Sequence, residues 1–100
     1  DAQNSMQGIY MVQEEFRSTS MTNDYYTTSN GQNCNPDLAN HVDINTNLFA
    51  GNQQLNTVDS DFLFCIAEGL AVDGGYLIIT ARPDGTDEMR LNANNVLVRL

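Results

Sequence analysis

Apolar residues near the start of the chain recur every three or four positions, which is the spacing of one face of an α-helix. That face consists of Ala2, Met6, Ile9, Val12 or Gln13, and Phe16. The pattern fails after Arg17. We therefore predict an amphipathic helix over residues 1–17, with one apolar face to bury.

The predicted helix has no sequence signal for its beginning. A complete helix normally starts at a Ser, Thr, Asp or Asn cap, often with Glu three residues later. Here the apolar spacing is already present at Ala2, directly after Asp1. We expect the apolar face to be the lower part of a longer helix.

A polar segment of residues 18–40 follows the helix and reads STSMTNDYYTTSNGQNCNPDLAN. Ser, Thr, Asn, Asp and Gly dominate it, so we predict a loop. Loops of this length are usually functional or restrained, and Asn35-Pro36 supplies local stiffness near its end. For residues 41–58 we predict a short turn or an edge strand, because HVDINTNLF alternates apolar and polar residues only in part.

The second half of the chain predicts four β-strands over about residues 60–100. DFLFCIAEG and YLIITARP are rich in apolar residues, and the turn sequences PDGTD and ANN separate EMRLN from VLVRL. Such an antiparallel meander has one face to bury, and the apolar face of the helix can cover it. The predicted fold class is α+β, an N-terminal α-helix packed on a four-stranded antiparallel β-sheet, in a single domain of residues 1–100.

The charge of the chain excludes some partners. The formal net charge is −9, with 13 acidic residues, and all four cationic residues are arginine. DNA and anionic lipid require clustered cations, so we predict no nucleic-acid binding. The chain also has no run of 18 apolar residues that would predict a membrane-spanning helix.

The two cysteines, Cys34 and Cys65, stand 31 positions apart. Their spacing fits neither a CxxC redox site nor a four-ligand zinc site. We favour a disulfide formed in an oxidising compartment, with Cys65 on the FLFCI strand and its sulfur facing the loop. The alternative is a pair of reduced thiols in a cytoplasmic protein.

The order of these segments and several short sequence motifs resemble those of the type IV pilin family. MQGIYMVQEEF resembles the lower part of the pilin helix, and NDYYTT resembles a sequence motif that follows this helix in pilins. GGYLIITARPDG is similar to the central strand of pilins, and MRLNANNVLVRL to their closing hairpin. The resemblance extends over essentially the whole chain.

This resemblance implies a structural subunit and not an enzyme. A pilin ectodomain would follow an apolar half-helix upstream of Asp1, where the cleaved leader, the methylated N-terminal residue and the membrane-embedded glutamate would lie. The subunit would be anchored in the inner membrane of a Gram-negative bacterium. There it would meet the pilus assembly machinery and polymerise with other subunits into an extracellular filament for attachment, motility or DNA uptake. Without that half-helix we expect the chain to be a monomer or a weak dimer.

The chain departs from many pilins at the disulfide, which in those proteins lies near the C-terminus. Cys34 and Cys65 would instead join the helix-to-sheet loop to the first long strand. Because the last predicted strand lies at residues 96–100, we also expect no large C-terminal decoration of the kind that some pilins carry. Both departures concern what a filament would bind and leave the predicted fold unchanged.

Candidate chemistry is sparse. A nucleophile–base pair of Cys34 and His41 has no orienting partner in the sequence, so we assign no catalytic residue. DINTN begins like an EF-hand calcium loop, but Leu48 and Gln54 occupy positions that need Gly and Glu, which excludes it.

The remaining candidate metal ligands are Asp84, Asp87 and Glu88 in the turn DGTDE. Calcium is the only cofactor that this turn suggests, because hard cations prefer carboxylate oxygens. A polar turn without metal is the interpretation that we favour. The alternative function for the whole chain is a small secreted binding module stabilised by calcium.

Overall fold

The computed structural model describes six parts of the chain, residues 2–19, 25–28, 31, 33–48, 62–69 and 74–99. The predictions made for Asp1, for most of residues 20–32 and for residues 49–61 lie outside this description. The elements are helices α1 (Ala2–Thr19) and α2 (Leu38–Asp43), a π-helical segment (Ile44–Leu48), and strands β1 (Leu63–Glu68), β2 (Tyr76–Ala81), β3 (Met89–Asn92) and β4 (Leu97–Arg99).

The predicted fold class is confirmed. The four strands form one sheet in the order β1-β2-β3-β4, and each neighbouring pair is antiparallel. Helix α1 packs against the sheet, with its contacts mainly on β2. The protein is therefore an α+β fold in which an N-terminal helix covers a β-meander.

The buried face of α1 is the one that the apolar spacing predicts. Met6 and Ile9 are fully buried, and Val12 and Phe16 pack against the same core while remaining half-buried. Gln13 is fully buried on this face as well. The helix ends at Thr19, two residues beyond the prediction, which is the usual uncertainty of a helix end.

Both faces of β1 and β2 are buried, whereas the sequence prediction gave the sheet only one buried face. Toward α1 the core contains Phe64, Ile66, Tyr76, Ile78 and Leu91. On the other face Cys65, Ala67 and Ile79 form a second cluster, against which Cys34 packs. Burial on both faces accounts for the nearly continuous apolar sequences of β1 and β2.

The turn or edge strand predicted from HVDINTNLF is wrong in the described residues, and the predicted loop ends before residue 40. The chain is helical from Leu38 to Leu48. The Asp37 carboxylate accepts a hydrogen bond from the Asn40 amide at 2.9 Å and so caps α2. The residues buried here are His41, Ile44 and Leu48, whose spacing of three and four is helical.

Candidate functional site

The segment after α1 pairs with the outer edge of β1. The Thr28 amide donates to the Ile66 carbonyl at 2.8 Å, and the Thr28 hydroxyl accepts from the Ile66 amide at 3.0 Å. Two positions further along β1, the Glu68 amide donates to the Gly31 carbonyl at 2.9 Å. These bonds satisfy backbone groups that an edge strand would otherwise present to water or to another chain.

A disulfide joins the same segment to the sheet. Cys34 is bonded to Cys65, with the two Cα atoms 6.2 Å apart, a normal separation for a disulfide. Cys65 is fully buried on the face of β1 that points away from α1. The Cys65 sulfur, on the FLFCI strand, thus faces the segment that contains Cys34, as the sequence predicted.

Gln13 on α1 also binds the segment that follows this helix, through hydrogen bonds to Tyr26. Its carboxamide nitrogen donates to the Tyr26 carbonyl at 2.6 Å, and its carboxamide oxygen accepts from the Tyr26 amide at 2.9 Å. One side chain thus satisfies both backbone polar groups of a residue that has no sheet partner of its own. The only sequence signal for this role was a glutamine at an apolar position of the helical pattern.

The Tyr26 side chain extends the connection to the α2 region. Its hydroxyl donates to the Asp43 carbonyl at 3.3 Å and accepts from the Asn47 carboxamide at 3.1 Å. Its ring also packs edge-on against Phe16, with the ring centres 6.0 Å apart. Tyr26 therefore links α1 to the two helical segments that follow it.

A second group of polar and aromatic residues lies at the C-terminal end of α1. The Tyr25 hydroxyl accepts from Arg17 at 3.0 Å and donates to the Glu14 carboxylate at 3.2 Å. The Arg17 guanidinium also lies 5.1 Å from the centre of the Tyr25 ring.

Arg17 and Tyr25 line a polar groove with Thr27, Glu68 and Gly75. The groove thus carries one cation, Arg17, and one carboxylate, Glu68, beside the Tyr25 ring.

Tyr76 lies beneath this group and is fully buried. Its ring meets the Tyr25 ring edge-on, with the centres 4.6 Å apart. The Tyr76 hydroxyl has no hydrogen-bond partner among the residues that the structure describes. Burial raises the pKa of this hydroxyl well above its usual range, and the nearby Glu14 carboxylate raises it further.

The raised pKa of Tyr76 predicts a loss of stability at alkaline pH. Above pH 10.0, the ordinary tyrosine pKa, the unfolded chain releases this proton while the folded chain keeps it. The free energy of unfolding should therefore fall as pH rises from 10. Tyr76→Phe should reduce this slope and, by removing an unpaired buried hydroxyl, stabilise the protein at pH 7 by about 1 kcal/mol.

Urea unfolding at pH 7 and above pH 10 measures both effects. Tyr10→Phe is the matched control, because Tyr10 is only half-buried. The pKa of Tyr26 is also raised, mainly by burial, so part of the alkaline slope should remain in both variants. A Tyr76→Phe protein with the parent slope and lower stability at pH 7 would contradict the prediction.

The structure does not bring the three candidate calcium ligands together. Asp84 accepts hydrogen bonds from the amide and hydroxyl of Thr86, at 3.0 and 2.6 Å, and these bonds lower the pKa of its carboxyl. Asp87 pairs with Arg82 at 2.7 Å, and Glu88 pairs with Arg90 at 2.8 Å. In the described parts of the chain, no group of three His, Cys, Asp or Glu residues is placed to hold a metal ion.

We accordingly predict that the Asp84–Glu88 turn does not bind calcium. A site in the Asp84–Glu88 turn would add about 2.7 kcal/mol at a hundredfold excess of calcium over its dissociation constant. The measurement is the melting temperature in excess calcium and in excess chelator, with Asp84→Asn/Asp87→Asn as the control variant. A calcium-dependent rise that this variant abolishes would show that the turn binds calcium after all.

The suggested pair of Cys34 and His41 does not form a nucleophile and base. Cys34 is oxidised in the disulfide, and His41 is fully buried in α2, with its ring centre 5.5 Å from that of Phe64. Histidine thus serves here as a packing residue between α2 and β1.

The described surface carries three exposed apolar regions. The largest exposed fractions belong to Met11 on α1, Leu38 and Val42 on α2, and Val96, Leu97 and Val98 at β4. Grouped apolar residues at a surface often mark a contact with another molecule. No helix in the described residues is long and apolar enough to cross a membrane.

The chain matches no protein-family model, no curated protein and no solved structure. The features of the chain that bear on its function are therefore its fold, the segment held between α1 and β1, and the chemistry of its exposed surface.

Proposed function

We propose that this chain is the globular part of a structural subunit similar to a type IV pilin. In this proposal, copies of the subunit assemble into an extracellular filament used for attachment, motility or DNA uptake. The observation that carries the proposal is the arrangement of α1 over a four-stranded antiparallel meander, with the intervening segment attached to both. A helix over an antiparallel meander is the arrangement that the family resemblance implies, whereas the position of the Cys34–Cys65 bond departs from many members of that family.

Two further features support an extracellular structural role. The disulfide suits an oxidising compartment outside the cytoplasm. The exposed apolar residues on α2 and β4 suit a protein that meets other protein surfaces. Other subunits and an assembly machinery in the inner membrane are the partners that the proposal requires.

The proposal is tested on cells of the source organism. An antibody raised against this chain should label surface filaments along their length in immunogold electron microscopy. Mass spectrometry of sheared filaments should recover its peptides. Cells in which the gene is deleted provide the control for both measurements.

The codons upstream of Asp1 give an independent test. A short basic leader ending in Gly, followed by about 20 apolar residues with an early Glu, would support the pilin proposal. A conventional signal peptide cut at Asp1, together with antigen found only as dissolved protein in the medium, would overturn it.

That outcome would favour the second candidate, a small secreted binding module. The observation in its favour is the polar groove of Arg17, Tyr25, Thr27, Glu68 and Gly75, which offers both charges and an aromatic ring to a ligand. The residues that line this groove do not include the candidate calcium ligands Asp84, Asp87 and Glu88.

A further inference from the structure

The two edges of the sheet have different surroundings. Strands β1 and β4 stand at the two ends of the strand order. Strand β4 is exposed along its whole length and pairs with β3. The outer edge of β1, in contrast, forms hydrogen bonds with the segment that follows α1. The chain therefore covers the β1 edge with its own residues and leaves β4 exposed.

The sequence of β1 explains why this edge needs a cover. Its six residues read LFCIAE, and the four from Phe64 to Ala67 are all fully buried. The strand contains no Pro or Gly, and Glu68 is its one charged residue. A strand of this composition pairs readily with another chain when its edge is open. Strand β4 has only three residues, and a short edge strand offers little for another chain to pair with.

We call residues 25–28, 31, 33 and 34 the strap. At the β1 edge, the strap takes the place of a fifth strand at two positions. Ile66 bonds through both its amide and its carbonyl to Thr28, and the Glu68 amide donates to the Gly31 carbonyl. The Ile66 amide bonds to the Thr28 hydroxyl, where a regular strand would offer a carbonyl. The strap is thus a substitute for a strand, with fewer backbone bonds than a full ladder supplies.

The strap is attached to the rest of the protein on both sides of this pairing. Gln13 bonds to the backbone of Tyr26 before Thr28, and the Cys34–Cys65 disulfide follows Gly31. The disulfide is the one covalent attachment of the strap. Opening it leaves Gln13 and a few hydrogen bonds to restrain the strap, and these bonds compete with pairing by another strand.

We propose that the strap is an autoinhibitory cover of the β1 edge, locked by the Cys34–Cys65 disulfide. When the disulfide opens, the strap leaves the edge and β1 pairs with β1 of a second copy. A dithiol reductant opens the bond by exchange. The dithiol becomes a disulfide, and Cys34 and Cys65 each receive one electron and one proton.

A second copy fits this edge because two antiparallel β1 strands present the same outward groups to each other. Ile66 and Glu68 of each copy direct backbone groups away from β2, so the pairing closes around a two-fold axis. The product is a dimer with one continuous sheet. Such a cover would serve a filament subunit and a secreted module equally, so it does not depend on the proposed function.

Sedimentation velocity of the oxidised and reduced protein tests the role of the lock. We expect the association constant for dimers to rise at least about tenfold in excess dithiothreitol. The excess dithiol keeps Cys65 reduced, so a dimer is not held by an intermolecular disulfide. The oxidised protein controls for β4, which is exposed in both forms. Hydrogen exchange at the amides of β2 and β3 shows that the sheet is intact after reduction.

Two substitutions at one position test whether β1 supplies the contact. Glu68→Pro removes an amide that points away from β2, because proline has no backbone N–H. Glu68→Ala removes the same charge and keeps the amide. In excess dithiothreitol, Glu68→Ala should associate as the parent does, and Glu68→Pro should associate about tenfold more weakly.

A variant with the disulfide closed tests the cover without reduction. Gln13→Leu/Thr28→Pro removes the bonds to Tyr26 and those that Thr28 forms with Ile66. It should form dimers in the oxidised state, whereas Gln13→Leu alone keeps the Thr28 bonds and should remain monomeric.

Three results would contradict the proposal. One is a reduced protein that keeps its sheet and remains monomeric. Another is equal association of the Glu68→Pro and Glu68→Ala variants, which would place the contact elsewhere than β1. If reduction unfolds the sheet, the oxidised Gln13→Leu/Thr28→Pro variant decides, and its remaining monomeric would be the third.

Discussion

Reduction of the Cys34–Cys65 bond should lower the free energy of unfolding by about 3.5 kcal/mol. The bond connects residues 31 positions apart. Chain-entropy arithmetic gives that value for a closed loop of this length. For a domain of about 100 residues the corresponding fall in melting temperature is about 15–25 °C.

The structure explains why this segment depends on a covalent bond. The described residues between α1 and α2 attach to β1 through few backbone hydrogen bonds, at Thr28 and Gly31. Restricting so many residues costs conformational entropy that this limited pairing offsets only in part. Loss of the bond should therefore release the segment before the β-sheet unfolds.

Melting with and without reductant measures the effect on stability. Limited chymotrypsin digestion should cut at Tyr25 or Tyr26 first in the reduced protein. Cys34→Ala is the better control variant, because Cys34 is only half-buried, whereas a change at the fully buried Cys65 would also alter packing. Uptake of two alkyl groups by the unreduced chain would show that the bond is absent.

Replacement of Gln13 by Leu should destabilise the protein by about 2–3 kcal/mol. Leucine has a similar volume and suits the apolar face of α1, so the change removes mainly the two hydrogen bonds to Tyr26. The Tyr26 amide and carbonyl would then lie under α1 without their partner. A buried polar group left unpaired costs more than the hydrogen bond itself contributes.

Gln7→Leu is the matched control for this variant. Gln7 lies on the exposed side of α1, where its carboxamide donates to Asn95 at 2.9 Å. Its replacement should change the free energy of unfolding by less than about 0.5 kcal/mol. Urea unfolding compares the two variants, and hydrogen exchange at the Tyr26 amide should accelerate only in Gln13→Leu. Equal effects of the two substitutions would contradict the role assigned to Gln13.

Local periodicity was sufficient to predict the main elements. The spacing of Met6, Ile9 and Phe16 identified α1, and apolar runs bounded by turn residues identified the four strands. These patterns are readable because each element repeats its own geometry over several residues. The short helix α2 was missed because six residues hold fewer than two helical turns, and its cap at Asp37 lies within a segment of many similar polar residues.

The sequence alone thus established an α+β fold with an amphipathic helix and a β-meander, together with two cysteines suited to a disulfide. Only the tertiary structure decided that Gln13 holds Tyr26, that the segment after α1 pairs with β1, and that Asp87 and Glu88 pair with arginines. The physical reason is that periodicity reports which face of an element is apolar, whereas a hydrogen bond or an ion pair depends on which elements meet and at what distance.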